Sequence, residues 1–121
     1  MAGAVAAADT TLIPVPSGQP VHLSEVLLDE VGSQSWVRFR FIAPGIARDA
    51  GTITYAEAGP DIEALCADIA LPYLTEWEIA ADRVVVSLSD REVPFGQADP
   101  AATQFFEAFT IAGGTCIWEE F

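Results

Sequence analysis

One stretch of the chain has helical periodicity, and it decides the class of fold. Ile62, Leu65, Cys66, Ile69 and Tyr73 recur at spacings of three and four, which lays one apolar stripe down a helix. Asp61, Glu63 and Asp68 fall off that stripe. Gly59-Pro60-Asp61 reads as the opening of the helix. Pro72 sits inside the pattern, so the helix kinks there or restarts for a last turn through Trp77. The other apolar runs read as β-structure, so the stripe is expected to lie across a sheet.

Trp36–Ile42 is the clearest strand. Val37, Phe39 and Phe41 alternate with Trp36, Arg38 and Arg40, which predicts a half-buried strand with one apolar face. Pro20–Val31 reads as a strand with imperfect alternation, a short helical turn from Ser24 being the alternative. Ile53-Thr54-Tyr55 suggests a further short strand. The β-branched run from Val84 to Ser89 suits an inner strand. A turn-rich loop, Asp90–Pro100, follows, with Asp99 placed to cap a single turn. The chain then reads as a final hairpin, Gln104–Ile111 and Thr115–Phe121. The expectation is an α+β domain: an antiparallel sheet of about five strands in the order β-β-α-β-β-β, with one main helix on a face.

The hairpin register follows if Gly113-Gly114 is a two-residue turn. Ile111 then faces Cys116, Phe109 faces Trp118 and Glu107 faces Glu120. The first two pairs suit a core, so that face is expected under the helix, with Cys116 near Cys66. A Cys66–Cys116 bridge would contribute about 4 kcal/mol in the chain-entropy treatment. A pair of buried thiols is the alternative. The Glu107–Glu120 pair is like-charged and calls for a cation, with Arg38 or Arg40 as the candidates. These four residues form a candidate charged rim.

The 121 residues suffice for one core without a metal. Acids number 18 against five basic residues, all arginine, for a formal charge of −13. Such a surface excludes nucleic acid and anionic membranes, which need clustered positive charge. It either simply keeps the protein soluble or docks a basic or membrane-associated protein partner. No apolar run is long enough to insert in a membrane. Met1–Ala8 has the small-residue character that precedes a signal-peptidase cut. Residues 1–19 are therefore read as a signal-peptide remnant and an extended arm, and 20–121 as the domain. Export to the periplasm agrees with an even cysteine count; a cytoplasmic location is the alternative.

Several strings carry a resemblance. They include Pro16-Ser17-Gly18-Gln19-Pro20-Val21, Trp36-Val37-Arg38-Phe39-Arg40-Phe41, Val85 through Gly96, Ala102 through Phe109, and Cys116-Ile117-Trp118-Glu119-Glu120-Phe121. Together they resemble a family of small, exported bacterial proteins of unknown function, over most of the chain after the Ala-rich start. The resemblance implies no activity, cofactor or site. Some relatives carry the name acetolactate synthase, which this sequence does not support. A thiamine-diphosphate enzyme needs domains several times this length, and a regulatory subunit of the βαββαβ type needs a second long helix.

No catalytic constellation emerges, and no cofactor is expected. The lone His22 lies in an apolar run, away from any paired nucleophile. Cys66 sits on the buried stripe, where a thiolate is disfavoured. Ser87 and Ser89 alternate with Val86 and Leu88 and point to the less buried face. The Cys and His spacing fits no zinc site, and Asp90, Glu92 and Asp99 fit no calcium loop. The candidate interaction loop is Asp90–Pro100, where Asp90, Arg91 and Glu92 stand beside Phe95. The expected function is a non-enzymatic periplasmic accessory or interaction module. The alternative is a small-ligand binder or hydrolase with a pocket between helix and sheet.

Overall fold

In the computed structural model, which describes residues 11–49 and 51–119, a five-stranded sheet carries one bent helix on one face. Strand β1 spans His22–Val31 and β2 Gln34–Ile42. They form a hairpin in which Val31 pairs with Gln34 and Val26 with Phe39. The register shifts between Leu23 and Glu25. Ser24 is the extra residue of a bulge, which lets Leu23 and Val26 both pack against the core. The imperfect alternation in this run is the trace of that bulge, and no helical turn forms.

Strand β3 spans Arg83–Ser89, β4 Gln104–Ala112 and β5 Thr115–Glu119. Spatial order follows chain order, β1 to β5. The α+β class and the five strands agree with expectation, but the sheet is mixed. β2 and β3 run parallel, Trp36 beside Arg83 and Ile42 beside Ser89. The reason is the helix between them. It crosses back over the sheet once, so β3 starts from the same end as β2. In the β4–β5 hairpin the turn glycines adopt φ of 59° and 73°, the left-handed values of a primed turn. Ile111 pairs with Cys116 and Phe109 with Trp118, in the expected register.

The helix begins earlier than its sequence suggests. Helix α1 spans Tyr55–Leu65, capped by Thr54. Thr54 Oγ1 accepts the Glu57 N–H at 3.2 Å, and Glu57 Oε1 accepts the Thr54 N–H at 2.9 Å. This reciprocal capping box satisfies two of the free donors at the helix start. Ile53–Tyr55 is therefore the cap and first turn, not a strand, and Pro60 sits within the helix. A π turn, Cys66–Ala70, follows, in which the Leu71 N–H reaches back to the Cys66 carbonyl. Helix α2, Leu71–Glu76, restarts with Pro72 in its first two positions, where a missing N–H costs least. The wide turn is how the chain accommodates a proline within the apolar stripe.

The core lies between this helix and one face of the sheet. Val37, Phe39 and Phe41 of β2, Val84, Val86 and Leu88 of β3, and Phe109 of β4 meet Ile62, Leu65, Cys66 and Leu74. Tyr73 packs edge-on to Phe39, with ring centroids 5.4 Å apart. Full burial of each large side chain contributes about 1.5–3 kcal/mol. Cys66 and Cys116 are joined, their sulfurs 2.08 Å apart. The bond links the π turn to the edge strand β5.

Two expectations about this face need correction. Asp61 is fully buried, because the arm 11–21 folds over α1 and supplies its carboxylate with donors. Trp118 is 51% exposed, although its partner Phe109 is buried. It stands on the edge strand, beyond the cover of the helix, so it is not part of the floor beneath it. The reading of Met1–Ala8 lies outside the described residues.

Candidate functional site

The second face of the sheet carries no helix, and the register arranges its side chains in rows. Glu25, Arg40, Ser87 and Phe106 are consecutive partners across β1 to β4. Leu27, Arg38, Val85, Ala108 and Glu119 form the neighbouring row across all five strands. Strand alternation alone places the arginines here, since even positions of β2 point away from the helix. Arg40 Nη1 meets Glu25 at 2.6 Å and Arg38 Nη2 meets Asp29 at 3.1 Å. Each half-buried pair of this kind contributes on the order of 1 kcal/mol.

The segment after β3 folds over the middle of this face. Arg40 donates to the Val93 carbonyl at 2.7 Å. The Phe95 ring lies 5.3 Å from the Arg38 guanidinium and 5.5 Å from that of Arg40. Both contacts have cation–π geometry, worth about 0.5–1 kcal/mol each at an exposed site. Phe95 stays 51% exposed and Phe106 59%. They line the same small cavity, of about 200 Å³, with Arg38, Val85 and Gln104. A larger cavity of about 600 Å³ opens on the other side, lined by Glu25, Arg40, Ser87, Arg91, Glu92 and Phe95.

The base of the loop is tied down. Asp90 accepts the Thr103 N–H at 2.7 Å and the Arg91 guanidinium at 2.9 and 3.1 Å. Burial works against ionisation of Asp90, but the Arg91 hydrogen bond, the Thr103 N–H and the Arg91 charge outweigh it. They hold the carboxyl below its ordinary value. Asp90 in turn raises Arg91. Asp99 accepts the Ala101 N–H at 3.0 Å and so caps its turn. Arg48 clamps the far end by donating to the Ala102 and Pro100 carbonyls. Of the candidate loop residues, Asp90 and Arg91 thus form the internal frame, while Glu92 and Phe95 face solvent.

The candidate rim is not brought together. Arg38 and Arg40 lie on the helix-free face, whereas Glu107 pairs with Val86 on the other and accepts the Trp118 indole N–H at 2.6 Å. Opposite faces of one sheet cannot share an ion pair, so neither arginine serves Glu107. Glu120 lies outside the described residues. Arg83 reaches Glu119 at 3.6 Å, so all five arginines are engaged within the protein. The surplus acids have no internal cations left to neutralise them.

Ser87 lines both cavities, but His22 lines neither. Ser89 Oγ donates to the Arg91 carbonyl. Among the described residues, no group of three or more His, Cys, Asp or Glu is placed to hold a metal ion, and no helix is long and apolar enough to cross a membrane. Two residues of interest were illegible in the chain. Phe106 stands out only once the fold brings it to the same cavity as Phe95, and Trp118 only once the helix is seen to end short of it.

Comparison with known proteins gives one family. A family model described as a family of unknown function (DUF6497) matches residues 1–121. No curated protein and no solved structure matches the chain.

Proposed function

The chain belongs to the family of unknown function DUF6497, and we propose that it is a non-enzymatic accessory module of the periplasm that docks a basic partner protein through its helix-free sheet face. The observation that carries this reading is the pairing of Phe95 and Phe106. Two half-exposed aromatic rings share one cavity on a face whose arginines are already neutralised. Aromatic side chains of this kind anchor protein interfaces. The excess of 18 acids over five arginines would speed encounter with a positively charged surface and exclude acidic ones. A joined cysteine pair agrees with an oxidising compartment.

The test is cross-linking in the native compartment, comparing the wild-type chain with Phe95→Ala/Phe106→Ala. One stoichiometric protein whose cross-links map to the loop, and which the double variant loses, supports the reading. A monomer that retains a small molecule through purification sinks it.

The cavity of about 600 Å³ beneath the loop favours a second reading, a small-ligand site. It lies between loop and sheet instead of between helix and sheet. Its size falls within the usual range for ligand pockets. Native mass spectrometry of protein taken from its own compartment would reveal a retained mass.

A further inference from the structure

The opposite side of the molecule carries a trough that the Phe95 face does not use. Two cavities, of about 820 and 330 Å³, share Ala67, Leu71 and Gly114, so they form one continuous groove. It runs from Trp118 at one end to Ile79 at the other, between the helix and the β4–β5 turn. Leu71 and Ile111 give it an apolar floor. The only charged side chains lining it are Glu63 and Glu76, with no arginine.

The Ile79 end is strongly negative for three independent reasons. Helix α2 points its C-terminus there, with the partial negative charge of the helix dipole. No basic residue occupies its last turn, and Glu76 does. The helix closes through Glu78 at φ 53°, the one described non-glycine residue with positive φ. The Ile79 N–H reaches the Leu74 carbonyl at 2.9 Å and the Glu78 N–H the Thr75 carbonyl at 3.3 Å, the double bond of a Schellman cap. Glycine is the favoured residue at that position, and a side chain there costs about 1–2 kcal/mol. A carboxylate beside the dipole's negative end adds to the cost. Glu78 is thus a locally unfavourable choice that adds a carboxylate at the chain position next to Ile79, which lines the end of the groove.

We propose that this groove docks a short amphipathic segment of a partner protein. Its apolar side chains would lie on Leu71, Ile111 and Trp118, and a Lys or Arg would meet the Glu76–Glu78 helix end. Charge complementarity selects this occupant. A second copy of the chain would bring acid against acid, and an anionic lipid surface would be repelled. The assignment goes beyond docking through Phe95 and does not depend on it.

The probe is a labelled synthetic peptide of alternating Leu and Lys, with its Leu/Glu counterpart as comparison, titrated by fluorescence anisotropy against the disulfide-intact chain. Ionic strength is kept at about 0.15 M, where long-range attraction is largely screened. The informative variants are Leu71→Asp and Phe95→Asp. Each adds a negative charge, so diffuse attraction of a cationic peptide can only increase. Groove docking expects Leu71→Asp to weaken binding about tenfold or more, because it puts a charge on an apolar contact, and Phe95→Asp to leave it within about twofold. Glu76→Gln/Glu78→Gln, at exposed positions, expects a loss of about fivefold, in line with charge pairs at an interface. Should Leu71→Asp fail to fold, Ala67→Asp at an exposed position in the same groove replaces it. Equal or tighter binding by the groove variants, no loss on removing both glutamates, or equal binding of the Leu/Glu peptide overturns the proposal. A lost cross-link in Phe95→Ala/Phe106→Ala bears on the other face alone, so the two readings fail separately.

Discussion

Asp61 accepts hydrogen bonds from both the backbone N–H, at 2.8 Å, and the hydroxyl of Ser17, a residue 44 positions earlier in the chain. Gln19 Nε2 supplies a third donor to the same carboxylate, at 2.8 Å. Asp61 has no exposed surface, and a buried carboxylate persists only when its lone pairs are occupied. The arm completes the fold by serving that one group. Its own backbone turns at Gly18, with φ 79°, and the Ile13 N–H bonds the Val21 carbonyl at 2.8 Å.

Asp61→Ala should therefore release the arm. Loss of three charge-assisted bonds and a stranded Gln19 amide predict destabilisation by about 2–3 kcal/mol. Urea unfolding measures the loss, and limited proteolysis reports whether residues 11–20 become cleavable. An unchanged midpoint with an intact arm would show that Asp61 is not the anchor.

The Cys66–Cys116 bond closes a sequence separation of 50. Its removal by Cys66→Ser/Cys116→Ser is expected to cost about 4 kcal/mol through the freed unfolded chain. Denaturant midpoints with and without reductant should differ for the wild type and coincide for the double variant. A count of two free thiols in denatured, unreduced protein from its native compartment would remove the bond and weaken the case for export.

Glu78→Gly relieves a side chain held at φ 53° and removes an acid from a helix C-terminus. The expected gain is about 1 kcal/mol, read as a higher midpoint with unchanged slope. A loss of stability would mean that the Glu78 side chain makes a favourable contact that outweighs its backbone strain.

Asp90 gives the loop a pH dependence of fixed sign. Its folded carboxyl titrates below the ordinary value of 3.8, so the unfolded chain takes up the proton first. The stabilisation is complete above the unfolded value and is lost as pH falls from about 4 down through the folded one. Stability of the wild type should fall more steeply than that of Asp90→Asn across that acid window, and the two curves should run parallel above about pH 5. Parallel curves below pH 4 as well would count against the Asp90–Arg91 frame.

Local patterns carried much of the fold. The alternation of Val37, Phe39 and Phe41 gave both faces of β2, and Gly113-Gly114 gave the hairpin register, because each depends on neighbours in sequence. The parallel β2–β3 pairing did not show, since the alternation within a half-buried strand is the same beside a parallel or an antiparallel neighbour. The helix start was hidden by Gly59-Pro60, which reads as punctuation, while the signal that decided it was Thr54 with Glu57. The burial of Asp61, a residue off the apolar stripe, did not show because its partners, Ser17 and Gln19, are remote in sequence. At the candidate site, Asp90 and Arg91 were legible as a charged pair beside Phe95. That they frame the loop, leaving Phe95 to cover Arg38 and Arg40, depends on contacts with Thr103 and β2 that no local pattern encodes.

The disulfide also sets how the molecule would yield under tension. Pulled from points on either side of the bond, the chain can pay out only residues outside the Cys66–Cys116 loop. The intervening separation of 50 is bypassed through the two sulfurs. At about 3.5 Å per extended residue, roughly 170 Å of contour stays locked until the bond is reduced. The force would pass directly from the helix to the edge strand, so β3 and β4 would be loaded only across their hydrogen bonds to β2 and β5 and not along their own backbones.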